Sequence, residues 1–417
     1  MEVNDQEIRI DLRHALLMLA RALDYVGIDD INHGHRVGYM AYECAKRLGW
    51  PEAKQEFTYF AGLIHDCGVS SSREHLRLLR CFEPESSEGH CIRGYEALHK
   101  CSTLVGFAEV IRYHHTPWLH LQEVELAPDI RDVTALVFLA DRLDFLRARY
   151  LNGQHPDIVT IYESVIGENV LSNAGEIFHP EYARVMAELI NIDGFWYTME
   201  ANSIEQIGLG FNPNSGYDRQ LSTPEVIELA RFLANIVDAK SPFTFQHSEK
   251  VALLSMALAQ EAGVREEYWQ QVYIAGLLHD VGKLRTADEI LHKQGRLDKR
   301  EYSQMKRHTV DTRDTLQNFF PNSNIGVWAA NHHERLDGSG YPFRLSGDQI
   351  DRESRIIAVA DIFQALAQTR PYKGRMSVDE IFSIIQPMVD DEKIDAEIVG
   401  LLRKKPDYYY KIVTDDL

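Results

Sequence analysis

Cysteine is scarce in this chain and poorly placed for cross-linking. All five (Cys44, Cys67, Cys81, Cys91 and Cys101) fall in the first quarter of 417 residues, the number is odd and no Cys-x-x-Cys pair occurs. That argues against a disulfide framework and against a structural zinc cluster. Basic residues are outnumbered, 44 Lys and Arg against 63 Asp and Glu, giving a formal charge of −19. A chain that coats nucleic acid is thereby excluded, because sequence-independent binding to phosphates relies on surplus cations. Long apolar runs are missing, so no segment is a candidate membrane span. The opening residues, Met1-Glu2-Val3-Asn4-Asp5, put acid where a secretory signal carries basic residues and then an apolar stretch. The expectation is a cytoplasmic protein with neither a membrane nor a nucleic-acid polymer as partner. An anionic substrate would then need local positive charge, which bound metal ions can supply.

Runs of alternating β-branched residues are rare, whereas helical spacing recurs in Leu12 to Leu23, Glu225 to Val237 and Val251 to Glu261. The expected fold class is all-α. With 45% hydrophobic residues the chain is long enough to bury two separate cores. Ser222-Thr223-Pro224-Glu225 marks a helix start, a capping residue ahead of a first-turn proline. Just before it, Gly208, Gly210, Pro213, Ser215 and Gly216 supply turn chemistry. The expected division is therefore 1–206 for a first domain, 207–222 for a short Gly/Asn/Pro-containing linker and 223–417 for a second domain.

The chain repeats itself. His33-Gly34-His35-Arg36-Val37 lines up with His247-Ser248-Glu249-Lys250-Val251, and 32 residues after the first histidine His65-Asp66-Cys67-Gly68 lines up with His279-Asp280-Val281-Gly282. The same offset pairs Asp24 with Asp238. Further on, His90 matches His308, His114-His115 matches His332-His333, and Asp141 matches Asp361. The tails match more loosely, Tyr182 to Ile190 with Ile398 to Arg403.

Apart from the Asp24 and Asp238 pair, each copy thus repeats five histidines and two aspartates, side chains that bind borderline divalent metals. A lone histidine is more often a core or surface residue than a ligand. Here ten of the 18 histidines occupy repeat-matched positions, which favours metal. An Asp beside a His, as at His279-Asp280, lets one ion take the imidazole while the carboxylate bridges to a second. Neighbours such as His332-His333 can both serve that second ion. Two ions a few ångströms apart clamp a phosphoryl group for in-line attack, the two-metal route to phosphoester hydrolysis.

The order His, His-Asp, His, His-His, Asp resembles the HD superfamily of metal-dependent phosphohydrolases, twice over. Across residues 223 to 403 the second copy is similar to an HD-GYP domain, through His279-Asp280-Val281-Gly282-Lys283, Asp288-Glu289-Ile290-Leu291, His332-His333-Glu334, Asp337-Gly338-Ser339-Gly340-Tyr341-Pro342 and Arg370-Pro371-Tyr372-Lys373. This resemblance implies two tandem all-helical HD-type domains and hydrolysis of a cyclic dinucleotide second messenger to its linear form. It implies that His247, His279, Asp280 and Asp361 hold one ion, with Asp280 bridging to another held by His308, His332 and His333. Iron or manganese is the implied metal, with magnesium, nickel and zinc as alternatives. Lys283 would act beside Asp280 at the phosphate, while Arg370 and Lys373 would grip the other phosphate of the ring, a task suited to the bidentate Arg fork. Tyr341 would stand near the entrance, with a packing role in its turn as an equal alternative.

Some departures from the family pattern bear on these expectations. A third ion in certain relatives uses a Glu four residues before the first histidine. Phe243 occupies that place, so two ions are expected. Gln364 stands where Asp is common and Lys250 where Arg is, neither being a ligand position. In the first copy Val69 replaces the lysine and Thr116-Pro117-Trp118 follows His114-His115, so it resembles an HD domain without the Gly-Tyr-Pro loop. Its seven matched residues, His33, His65, Asp66, His90, His114, His115 and Asp141, form a second candidate metal site. That site either removes the terminal phosphate from the linear product or, slightly favoured, stabilises a regulatory or dimerising domain in a homodimer. Asp29, four residues before His33, is too slender a basis for an extra ligand, and His35 is expected at the surface or behind the ligands.

An HD domain ahead of an HD-GYP domain resembles the tandem bacterial enzymes that degrade 3′3′-cGAMP, which would yield linear pApG. Cyclic di-GMP is the alternative substrate. A non-catalytic signalling adaptor is disfavoured because no ligand type has been lost, and an alarmone or nucleotide hydrolase because Lys283 and the Gly-Tyr-Pro loop are present.

Overall fold

The structure, a computed structural model, describes residues 8–25, 32–71, 74, 88–213, 215–241, 246–368 and 375–415. Among the described residues there are helices, short 3-10 turns and two isolated bridges but no strand, in keeping with the helical spacing of the sequence. The chain divides into two compact units, Asp11–Leu221 and Ser222–Leu417, with residues 8–10 grouped with the latter.

In the first unit the helix Leu12–Asp24 opens where the Asp11 side chain accepts from the His14 amide at 2.8 Å. The helix Pro128–Leu151 is buried without interruption from Val133 to Arg147, so it runs through a core rather than along a surface. The helices His33–Arg47 and Glu52–Ile64 pack on it and on each other. Their crossing is tight enough that a Cβ at Gly62 would lie 2.6 Å from the Gly38 Cα, so only glycine permits it.

Residues 207–221, expected as linker, pack into this first unit. The helix Ala201–Leu209 runs past 207. Arg13 donates to the carbonyls of Phe211 at 3.3 Å and Asn212 at 3.0 Å and to Ser215 Oγ at 2.9 Å. The rings of Phe211 and Tyr217 lie against Tyr59 and Phe60. Turn-forming residues gave the stretch its loop character, but its two half-buried aromatics anchor it to the first unit.

The second unit starts as expected, with Glu225 accepting from the Ser222 amide at 2.8 Å at the head of the helix Thr223–Lys240. The helices His247–Glu261, Glu266–Leu277, Lys299–Phe319, Ile325–Ala330 and Arg352–Ala367 follow in the order of His33–Arg47, Glu52–Ile64, Glu88–His99, Ala108–Tyr113 and Pro128–Leu151 in the first. The repeat-matched aspartates now have a structural role. Asp24 accepts from the Gly34 amide at 2.9 Å and Asp238 from Ser248 Oγ at 2.8 Å, so each holds the start of a helix whose first residue is a candidate ligand.

Candidate metal centres

In the second unit Asp280 stands between two groups of imidazoles. Its Oδ2 faces His279 Nε2 at 3.3 Å and His247 Nε2 at 3.8 Å, and its Oδ1 faces His308 Nε2 at 3.6 Å and His332 Nε2 at 3.7 Å. Asp361 Oδ1 completes the first group, 3.5 Å from His247 and 3.8 Å from His279. His333 joins His308 and His332 in the second. Two donors each about 2.1 Å from a shared ion lie roughly 3–3.5 Å apart, close to these spacings. Asp280 Oδ1, His308 Nε2 and His332 Nε2 are buried and make no hydrogen bond. Such groups are costly unless another partner takes their lone pairs, and a divalent ion fits that requirement.

The far side of each ring explains the orientation. Nδ1 donates to Gly276 O at 2.7 Å in His279, to Met305 O at 2.6 Å in His308 and to Ala329 O at 2.7 Å in His332. These carbonyls fix the tautomer and aim the Nε2 lone pair inward. His247 is fixed by Gln364 Oε1 at 2.5 Å, which gives the residue at the family's Asp position its role. Burial pushes His308 down to about 4 and His332 and His333 well below the usual imidazole range, keeping them in the neutral, lone-pair-bearing form. Asp280 is held well below the carboxylate range despite burial, by Lys283 and then His279.

Lys283, on the 3-10 turn Val281–Arg285, donates to Asp280 Oδ2 while remaining partly exposed. Gly282 beside it is required by close approach. A Cβ there would lie 2.0 Å from the His308 carbonyl oxygen. The Gly-Tyr-Pro loop folds back on the His-His-Glu segment, with Glu334 accepting from the amides of Phe343 at 2.7 Å and Leu345 at 3.0 Å. The Tyr341 ring thereby lies 4.8 Å from that of His333, so the loop packs against the candidate ligands. Arg370 and Lys373 lie outside the described residues, as do Phe243 and Asp29.

The first unit reproduces the plan. Asp66 Oδ1 faces His90 at 3.5 Å and His114 at 3.7 Å, and its Oδ2 faces His65 at 3.6 Å and His33 at 3.9 Å. Asp141 Oδ1 lies 3.3 Å from His33, and its Oδ2 lies 3.5 Å from His115. The surroundings differ. His33 Nδ1 donates to Asp144 at 2.8 Å, and Asp144 is gripped by Arg36 at 2.8 Å and Arg147 at 2.6 Å, where the second copy has Gln364 and Lys250. Val69 leaves no lysine on Asp66, but buried Arg142 donates to Asp141 at 2.7 Å, so each centre keeps one cation on an aspartate. His35 is fully buried and bonded to Asp24 and Glu205, so of its two expected places, at the surface or behind the ligands, the surface is ruled out.

Asp144, Arg142 and Arg147 escaped the sequence analysis because none belongs to the repeated ligand set, and Glu334 was quoted there within a motif but given no role. Gly68 and Gly282 did repeat, and a matched glycine beside a matched His-Asp was the available signal.

The chain is similar to several known proteins. The HD domain model fits residues 30–146 and, in a second form, residues 231–398. Over 406 residues, 97% of this chain and 94% of the relative, the sequence is 43% identical to 3′3′-cGAMP-specific phosphodiesterase 1 of Vibrio cholerae serotype O1. A cyclic di-GMP phosphodiesterase of Thermotoga maritima is 35% identical over 195 residues, 44% of this chain and 52% of that one. The fold matches the crystal structure of a V. cholerae cyclic GMP-AMP specific phosphodiesterase with a TM-score of 0.66 at 23% identity, covering 96% of this chain and all of that one. With an HD domain in each unit and near full-length identity to one such enzyme, the chain belongs to the HD-domain family of cyclic-dinucleotide phosphodiesterases.

Proposed function

We propose that this chain opens 3′3′-cGAMP to linear pApG at the second centre. The observation that carries the substrate is 43% identity along 97% of the chain to a 3′3′-cGAMP-specific enzyme, where the Thermotoga cyclic di-GMP enzyme aligns with only 44%. In this proposal His247, His279, Asp280 and Asp361 would hold one divalent ion and His308, His332 and His333, again with Asp280, a second. Bound there, such ions would supply Lewis acidity toward the phosphoryl oxygens and toward the attacking water. Iron or manganese suits this mixed imidazole and carboxylate set.

The chain's own groups position and neutralise. Lys283 offsets the charge of Asp280 and, being partly exposed, can also meet the phosphate or the leaving 3′ oxygen. Tyr341 borders the substrate against His333, and Arg370 and Lys373 take the second phosphate of the ring. The first centre, with its complete matching set around Asp66, is assigned removal of the 5′ phosphate from pApG.

Metal-loaded protein incubated with 3′3′-cGAMP and cyclic di-GMP side by side, with products separated by chromatography, tests this. Faster conversion of 3′3′-cGAMP is expected, whereas loaded protein inert on both overturns the proposal. His279→Ala should abolish ring opening, and His65→Ala should make pApG the end product. Dephosphorylation that survives His65→Ala refutes the role given to the first centre.

A further inference from the structure

Lys240 is one of the largest fully buried side chains, yet it belongs to no candidate metal group. It is the last residue of the helix Thr223–Lys240. Its ammonium donates to the carbonyl of Leu284 and lies 4.0 Å from Asp288 Oδ1. In return, His292 Nε2 donates to the carbonyl of Lys240 at 2.9 Å. The chain from Leu284 to His292 is thus fastened to one helix end by a buried cation and a backbone bond. Leu284 directly follows Lys283.

Burying an ammonium is costly, and a buried ion pair is weak evidence of stabilisation, since an apolar residue of similar volume often does as well. Here burial drives Lys240 down to about 8 even with Asp288 nearby. The first copy dispenses with the arrangement: the matching positions are Val26 for Lys240 and Val69 for Lys283. Glu74, which matches Asp288, pairs instead with Arg93. The buried lysine and the site lysine are present together in one copy and absent together from the other.

We infer that Lys240 is a positioning residue for ring opening: by holding the Leu284 carbonyl against Asp288 it fixes the Val281–Arg285 turn and keeps Lys283 on Asp280. The inference rests on the proposed role of Lys283. A lysine side chain has many rotamers, so its ammonium stays in place only if its backbone does, and misplacement of a reacting group by about 1 Å costs on the order of 100-fold in rate.

A double-mutant cycle on the full-length, metal-loaded protein separates the possibilities, with kcat and KM for 3′3′-cGAMP and metal per chain measured for Lys240→Met, Lys283→Met and the double variant. Lys240→Met should lower kcat by about 10- to 100-fold with KM and metal content within about twofold of wild type. In the Lys283→Met background it should cost almost nothing further. A wild-type kcat in Lys240→Met overturns the inference, as does an undiminished loss on top of Lys283→Met or a loss of metal. If Lys283→Met itself has wild-type kcat, the role given to Lys283 fails instead. Should Lys240→Met not fold, Asp288→Asn loosens the ammonium from one side at constant volume and must show a smaller loss of the same kind, absent in the Lys283→Met background; a wild-type kcat there overturns the inference as well.

Discussion

A single methyl group added at Gly282 is expected to take the second centre apart. A Cβ at that position would lie 2.0 Å from the His308 carbonyl oxygen, 2.7 Å from the Thr312 amide nitrogen and 2.9 Å from the His308 carbonyl carbon. All three are backbone atoms of the helix Lys299–Phe319, so no side chain can swing aside. Cβ contacts below 3.0 Å are essentially unknown, so the His-Asp turn and that helix must part by at least about 1 Å. The separation falls directly between two candidate ligands, because Asp280 sits on the turn and His308 on the helix, 3.6 Å apart. It also strains the bonds from the Gly282 amide to Thr312 Oγ1 at 3.0 Å and from Thr312 Oγ1 to His279 O at 3.1 Å. Overpacking of this kind costs about 1–3 kcal/mol in stability, and a shift of about 1 Å at the reacting groups costs on the order of 100-fold in rate.

The assay is metal per chain by mass spectrometry together with the initial rate of ring opening. Gly282→Ala should lose metal from the second unit and about two orders of magnitude in rate. Gly68→Ala is the internal control: its Cβ would lie 2.0 Å from the His90 carbonyl oxygen, so it should empty the first centre and leave ring opening intact. Wild-type metal content and rate in Gly282→Ala would refute the role proposed for Asp280 between the two ions.

Other perturbations have equally defined outcomes. Glu334→Gln replaces the carboxylate that accepts from Phe343 and Leu345 and should destabilise the Gly-Tyr-Pro loop by about 1–3 kcal/mol, seen as faster proteolysis within 337–345 and a raised KM. Asp144→Asn leaves Arg36 and Arg147 without their shared carboxylate and should cost about 3–5 kcal/mol in urea unfolding. Asp238 is raised from 3.8 to about 7, by burial against the bonds from Ser248, so the folded state binds the extra proton between those values. Stability of the metal-free protein should therefore fall as pH climbs from about 4 to 7, by no more than about 4 kcal/mol. In Asp238→Asn that decline should be absent from thermal unfolding curves, and an unchanged decline would refute the assignment.

How far the sequence alone reached depends on what kind of pattern a feature leaves. The helices at Leu12 to Leu23, Glu225 to Val237 and Val251 to Glu261 were legible because a buried stripe imposes a 3.6-residue period. Both candidate sets were legible because duplication preserved residue types at matched spacings, and the structure brings all fourteen side chains into two clusters. The stretch 207–221 was misjudged because Gly, Pro and Ser signal turns without saying what those turns pack against. The partners that aim the rings were mostly hidden, since three are backbone carbonyls, which every residue possesses.

By itself the sequence determined the helical class, the duplication, the two sets of donors and the family resemblance, since each is written in residue identity and spacing. Tertiary structure alone decided that Asp280 and Asp66 each turn one oxygen to either imidazole group, because that depends on the angle at which a turn meets a helix. It also decided which cation rests on which carboxylate: Lys283 on Asp280 in one unit, Arg142 on Asp141 in the other. Charge acts through distance in space, and distance along the chain does not report it.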